Sequence, residues 1–314
     1  MGVVPLVLCI DVEPDARVID PNGATPWHGS DDVFAWLAAL RPTLQERTGW
    51  PVHFNWFIRL DPQIERAYGR VWPIEQYRAH FEACHALGDT IGIHPHVWRW
   101  DTRRETWFTD NADQSWIDHC VRSAVTSFSE GFQRRPEACR LGDRDMTNAT
   151  MALLESLGIR FDLTIEAGMP RLPAAMLPDF HTADLPDYRR VPSAPYRPSS
   201  HEYRRPAWRH PRDLWVVPLS TGTVRHPGRW CRSRQTLNLA SDFLPLLIDQ
   251  VLAQKRLLLV ISGRTGDVAT AQRRAAFQRN LEYYATHPRA RDFAFSTVQE
   301  AVASSADRVP FAPQ

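Results

Sequence analysis

The sequence predicts an α/β fold, a distorted (β/α)7-type barrel formed as a single domain over residues 1–314, and three observations carry the prediction. Apolar, β-branched runs alternate with segments of helical periodicity about seven times, an alternation that gives a mostly parallel sheet. A chain of 314 residues is long enough to bury one large core. Chemically active side chains stand at the carboxyl ends of two apolar runs, the edge at which α/β enzymes build their sites. An open doubly wound sheet is the alternative arrangement.

The first run, LVLCIDVEPD at residues 6 to 15, ends in Asp11, Glu13 and Asp15. Residues at i, i+2 and i+4 of an extended chain share a face, so the three acids leave together if the strand persists. Pro14 opposes regular pairing beyond Glu13 and leaves Asp15 free to turn aside. Acids at such a place also open solvated loops and cap the next element. Ser30 or Asp31 is expected to cap a helix carrying Val33, Phe34, Leu37 and Leu40, with Pro42 near its end or kinking it. PVHFNWFIRL at 51 to 60 reads as a second strand, and a helix over 74–87 stops at Gly88. TIGIHPH gives a short strand over 90–96. A Trp- and Arg-rich loop over 97–112 precedes a helix over 113–130. A strand ending at Arg140, a helix over 147–157 closed by Gly158, and a strand over 159–165 come next.

The alternation breaks at about residue 167. Residues 168–212 hold nine prolines and eight arginines without convincing periodicity, far beyond an ordinary connection. This long Pro/Arg-rich excursion is expected to cover one mouth of the fold above the substrate. Strands at 214 to 221, 257 to 262 and 292 to 297, with helices over 241–254 and 267–285, complete the pattern.

Composition excludes several function classes. The balance of 37 basic to 36 acidic residues gives a net charge of +1, so no global field points to nucleic acid or a membrane surface. All the basic residues are Arg except Lys255. No stretch approaches the roughly 18 to 20 apolar residues of a membrane span. The N-terminal run lacks a basic leader and a small-residue cleavage site. Five cysteines (Cys9, Cys84, Cys120, Cys139 and Cys231) show no CxxC spacing, so no disulfide framework or zinc ribbon is indicated. These features lead to an expected cytoplasmic location.

His94 and His96, at i and i+2 of an extended segment, point to one side, a local arrangement that lets two imidazoles share a metal. The acids end one expected strand and the histidines another, so a parallel sheet brings both groups to the same edge. One or two carboxylates with two imidazoles suit Zn²⁺ and are tolerated by other first-row metals.

IDVEPD after an apolar strand, GDTIGIHPH after a helix, and CRLGDRDMTNATMALLESLGIRFDLT together resemble the successive motifs of the polysaccharide deacetylase family, the NodB-homology or carbohydrate esterase family 4 group. The resemblance runs from residue 6 to about 165 and more weakly to 257–263. It implies a distorted (β/α)-barrel that removes N-acetyl groups from sugars with a divalent metal. Carried over, Asp11 matches the base, Glu13 the ligand acid, His94 the first histidine ligand and Arg140 the arginine that orients the base. Asp162 falls near a further motif, loosely. Two departures stand out. The family's second histidine comes four residues after the first, where this chain has Trp98, and His96 is the nearby substitute. The family's general-acid histidine is missing from LLLVISGRTGD, where Ser262 and Arg264 stand and neither replaces an imidazole. His226, in TVRHPGRW, is the substitute to test on position, against its reading as an ordinary loop histidine.

The resulting expectation is a metal-dependent hydrolase acting on the amide of an N-acylated sugar or related compound, a small molecule or glycan. An intracellular enzyme would meet a nucleotide-linked or lipid-linked sugar or a small amide. Trp98 is the candidate to stack on a sugar face, with Trp100 and Trp107 as further candidates, although such rings are more often packed. The alternatives are a binding protein that keeps the pocket without turnover and a metal-free C–N hydrolase.

Overall fold

The computed structural model describes residues 3–225, 232–254 and 258–306. The elements in chain order are β1 (Val4–Val12), α1 (His28–Thr48), β2 (Asn55–Ile58), α2 (Pro62–Tyr68), α3 (Trp72–Gln76), α4 (Arg78–Ala86) and β3 (Thr90–Ile93). A hairpin, β4 (Trp98–Asp101) and β5 (Thr106–Thr109), is followed by α5 (Gln114–Phe132), β6 (Ala138–Cys139), α6 (Asn148–Ser156), β7 (Phe161–Asp162) and β8 (Trp215–Val216). A second hairpin, β9 (Thr221–Arg225) and β10 (Arg232–Thr236), leads to α7 (Leu244–Ala253), β11 (Leu259–Arg264), α8 (Ala271–Thr286), β12 (Phe293–Phe295) and α9 (Val298–Ala306).

The main sheet runs β11-β1-β2-β3-β6-β7-β8, all parallel, with β12 also pairing β1. The chain after β8 closes the ring: Leu219 N donates to Ile165 O at 2.8 Å and Ser220 N to Val260 O at 2.9 Å. The distorted seven-stranded barrel expected from the alternation is therefore the observed fold.

Strand parity divides the core into two layers. Leu6, Leu8, Ile10 and Val12 of β1 pack outward in the large cluster shared with the helices. Val7 and Cys9 join Phe57, Ala138, Phe161, Val217 and Val260 in a separate interior cluster. Val298, Ala301 and Val302 of α9 close the amino end of that interior. Successive side chains of a strand alternate faces. Each interior series therefore continues into the carboxyl-end mouth: 7, 9 to Asp11 and Glu13; 57 to Arg59; 138 to Arg140; 260 to Ser262 and Arg264.

Several local expectations are corrected. α1 runs through Pro42 to Thr48, and its first amides are capped from a distance by Asp15, which accepts from His28 N at 3.2 Å and Gly29 N at 2.9 Å. Ser30 lies inside the helix, bonded to Thr265 Oγ1 at 3.0 Å. The Trp-rich stretch is a hairpin, and the helix over 74–87 is two helices broken at Tyr77. Residues 168–212 follow an irregular course with few bridges, including Leu172 to Leu185, and their Tyr188, Tyr196 and Tyr203 are buried in the outer core.

Candidate active site

The mouth of the barrel gathers side chains delivered by four neighbouring strands. Asp11 and Glu13 leave the end of β1, Arg59 and Asp61 follow β2, His94 and His96 follow β3, and Arg140 follows β6. The ladder extends past the strand ends to hold them: Arg59 N donates to Val12 O at 3.1 Å, His94 N to Ile58 O at 2.8 Å and Arg140 N to Ile93 O at 2.9 Å. Pro14 ends the extended run, so Asp15 turns to α1 and only Glu13 continues to the histidines. Donor atoms of Glu13, His94 and His96 lie within 4.8 Å of one another, and all three residues are buried. The Nε2 atom of His96 is 3.6 Å from Glu13 Oε2, and that of His94 is 3.7 Å from Asp11 Oδ2.

Hydrogen bonds fix both imidazoles from behind. His94 Nδ1 meets the carbonyl of Arg140 at 2.5 Å and His96 Nδ1 meets Asp143 Oδ2 at 3.2 Å. A carbonyl and a carboxylate only accept, so each Nδ1 carries the proton and each Nε2 presents a lone pair. The two Nε2 atoms then face each other at 3.1 Å. Two lone pairs at that separation repel unless a cation lies between them, and Glu13 Oε2 beside them is buried with no hydrogen-bond partner. The donor set, two neutral imidazoles and one carboxylate oxygen, fits a divalent first-row metal such as zinc.

Electrostatics keep the imidazoles neutral and the Glu13 carboxyl ionised. Burial, then the Arg140 guanidinium, lowers His94 to about 3, and burial with Arg59 holds His96 well below its usual value. Burial acts to raise Glu13, but the Arg264 guanidinium outweighs it and holds the carboxyl well below the usual range. Arg264 Nε binds the other oxygen of Glu13, Oε1, so Oε2 is the one left toward the histidines. Asp11 differs: burial pushes it up to about 7 against Arg140, whose Nη1 lies 2.8 Å from Oδ2. That ion pair is off the hydrogen-bonding direction, and neither Asp11 oxygen has a hydrogen-bond partner.

Beneath the histidines lies a network that the sequence reading passed over. Asp61 accepts from Arg59 Nε at 2.8 Å and His96 N at 3.1 Å, and Arg59 Nη1 reaches Glu13 Oε2 at 3.9 Å. The continued parity from Phe57 was the available signal. On the other side, Gly142 packs so closely on His96 that a Cβ there would sit 2.2 Å from Nδ1. The next two residues, Asp143 and Arg144, adopt left-handed φ of 55° and 50°. This costly backbone delivers Asp143 to His96 and to Arg17, with which it forms an ion pair.

The remaining candidates sit as follows. Trp98 is 0% exposed and leans on Phe180 at 4.9 Å between ring centroids, so its faces are packed by protein and do not stack on a sugar. Trp107 is also buried, and Trp100 packs against it at 5.0 Å. Asp162 is buried and accepts from Thr164 Oγ1 at 2.6 Å. Ser262 lines the cleft, while Arg264 is committed to Glu13. His226 lies outside the described residues. The cleft above the cluster encloses about 300 Å³ and receives Met169, Leu172 and Leu185 from the Pro/Arg-rich excursion, which thus forms part of its wall. Among the described residues no helix is long and apolar enough to cross a membrane.

No protein-family model and no curated protein sequence matches the chain. Solved structures do. One, assigned as a polysaccharide deacetylase from Mycobacterium smegmatis, is 13% identical with a TM-score of 0.53, covering 100% of this chain and 94% of that one. A second, assigned as a glycoside hydrolase/deacetylase from Parabacteroides distasonis, is 14% identical with a TM-score of 0.60, covering 99% and 72%. PuuE allantoinase is 12% identical with a TM-score of 0.50, covering 98% and 91%. The chain shares the fold of the polysaccharide deacetylases.

Proposed function

We propose that this protein is a metal-dependent hydrolase that removes an acyl group, in the first instance N-acetyl, from an amino sugar or related amide. The observation that carries the reading is the convergence of Glu13 Oε2, His94 Nε2 and His96 Nε2 on one buried point, with the Asp11 carboxylate, which accepts no hydrogen bond, beside it. A divalent cation held by these three donors would supply Lewis-acid activation of the acyl carbonyl and of water.

The chain's own residues do the rest. Asp11, with a pKa near working pH, takes the proton of the attacking water. Arg140 holds Asp11 in place and favours its ionised form. Asp143 and the Arg140 carbonyl keep both histidines in the ligating tautomer, and Arg264 keeps Glu13 ionised. The matched solved structures assigned as deacetylases lend support at the level of fold. The expected cytoplasmic location belongs to this proposal, and with it a nucleotide-linked or lipid-linked sugar or a small amide as substrate.

A metal-free C–N hydrolase is the second reading. The Arg264 guanidinium on Glu13 favours it, because a fixed cation already compensates the ligand acid. Acetate release from N-acetylated sugars, assayed with and without chelator in wild type and Asp11→Asn, tests both. Turnover lost to chelator and restored by Zn²⁺ supports the first; turnover indifferent to chelator replaces it with the second; no turnover on any N-acyl substrate overturns both.

A further inference from the structure

The walls of the cleft carry a charge pattern that the hydrolysis itself does not require. Four arginines line it, Arg17, Arg140, Arg144 and Arg264, and each is matched to one acid: Asp143, Asp11, Glu166 and Glu13. Beneath them, Arg59 is matched to Asp61. The site is therefore near neutral before any cation enters, and a divalent ion on the histidines and Glu13 leaves two positive charges uncompensated in a largely buried place. Burying unpaired charge is costly, so a ligand that brings negative charge is favoured there.

The same wall lacks what neutral sugars usually meet. Among its described residues none is Phe, Tyr or Trp; the apolar ones are Leu141, Met169, Leu172 and Leu185. Guanidinium groups, by contrast, match carboxylate and phosphate oxygens in a planar fork. Arg17 is the one placed to answer an incoming anion. It stands on the connection between β1 and α1, its side chain is 35% exposed, and its acid partner Asp143 is shared with His96.

We infer that the substrate carries an oxyanion, a carboxylate or a phosphate, near the scissile amide, and that Arg17 binds it. This inference rests on the hydrolase reading for its amide and on the cleft alone for its anion.

The test compares three probes on the zinc-loaded protein: neutral N-acetylglucosamine, N-acetylglucosamine 6-phosphate, and N-acetylmuramic acid with its carboxylate. Binding is measured by calorimetry and turnover by acetate release, in wild type, Arg17→Gln and Arg17→Lys, each checked for an unchanged melting temperature. At least one anionic probe should bind about tenfold or more tightly than the neutral one, with that gap closed in Arg17→Gln and partly restored in Arg17→Lys. Which anionic probe wins separates phosphate from carboxylate. Anionic binding without acetate release from any probe leaves the anion inference standing and removes the hydrolase reading. Equal binding of all three probes, binding of none, or a gap that survives in Arg17→Gln overturns the inference, whatever the turnover.

Discussion

Two groups of buried charge lie at opposite ends of the same strands, and they differ in how fully they are satisfied. At the amino end, Asp89 accepts four hydrogen bonds: from Arg41 Nη1 and Nη2 at 2.9 and 2.6 Å, Phe54 N at 3.0 Å and Trp56 Nε1 at 2.8 Å. Arg41 also stacks over Phe54 at 4.4 Å, and only its Nε lacks a partner. At the carboxyl end, both oxygens of Asp11, Oε2 of Glu13 and Nη1 of Arg59 are buried without hydrogen-bond partners. A buried polar atom left unpaired costs about 1–3 kcal/mol. The first cluster returns its desolvation to the fold, whereas the second holds unsatisfied atoms in a form that a ligand can satisfy. Burial of charge alone does not mark a site; burial with convergent unpaired atoms does.

Substitutions at either end test that contrast. The largest effect expected is on chemistry at the carboxyl end: Asp11→Asn should lower acetate release by about 10² to 10⁴, with denaturant unfolding of the metal-free protein little changed. A mutant as active as wild type would remove Asp11 from the mechanism. At the amino end the effects reverse. Asp89→Ala strands Arg41 and should cost about 3–5 kcal/mol in denaturant unfolding, while acetate release per folded molecule stays at the wild-type rate. Comparable stability of the two proteins would show that the amino-end pair is not structural in the sense argued.

Smaller effects probe the support of the second cluster. Asp143→Asn, which weakens the hold on His96 Nδ1, should loosen zinc by about 10- to 100-fold in a competitive titration with a chromophoric chelator; unchanged affinity would sever Asp143 from the ligand set. The smallest effect concerns pH. Asp11 accepts a proton only when ionised, and in the metal-free chain burial raises it to about 7, so the rate rises with pH up to that region. A cation seated on the neighbouring donors draws the rise to lower pH. Arg140 favours the ionised form, so Arg140→Gln should move the rise in kcat/KM to higher pH, by about one unit. A shift to lower pH would contradict the assigned role.

Much of this architecture was legible because apolar runs and period-two patterns are set by burial, which a sequence records directly. The β1 series of Val7, Cys9, Asp11 and Glu13 and the pair His94 and His96 could be read as facing one mouth before any coordinates. The features that escaped depend on contacts between distant segments. Phe180 of the excursion lands on Trp98, and Arg264 meets Glu13 across 251 positions of sequence. Pro42 within α1 shows tertiary packing overriding a local breaker, since Val33, Phe34, Leu37 and Leu44 all bury their side chains along that helix. The network of Arg59 and Asp61 was within reach, because Arg59 continues the parity of Phe57, but RLDP also reads as an ordinary strand end.

If the unsatisfied atoms of Glu13, His94 and His96 exist to hold a metal, the purified protein should carry one. Elemental analysis of protein prepared without chelator, wild type beside a folded His94→Ala/His96→Ala variant, tests this most directly. The expected result is near-stoichiometric zinc or another first-row metal in the wild type and none in the variant. A wild type that stays metal-free even after reconstitution, or a variant that keeps its metal, would contradict the assignment.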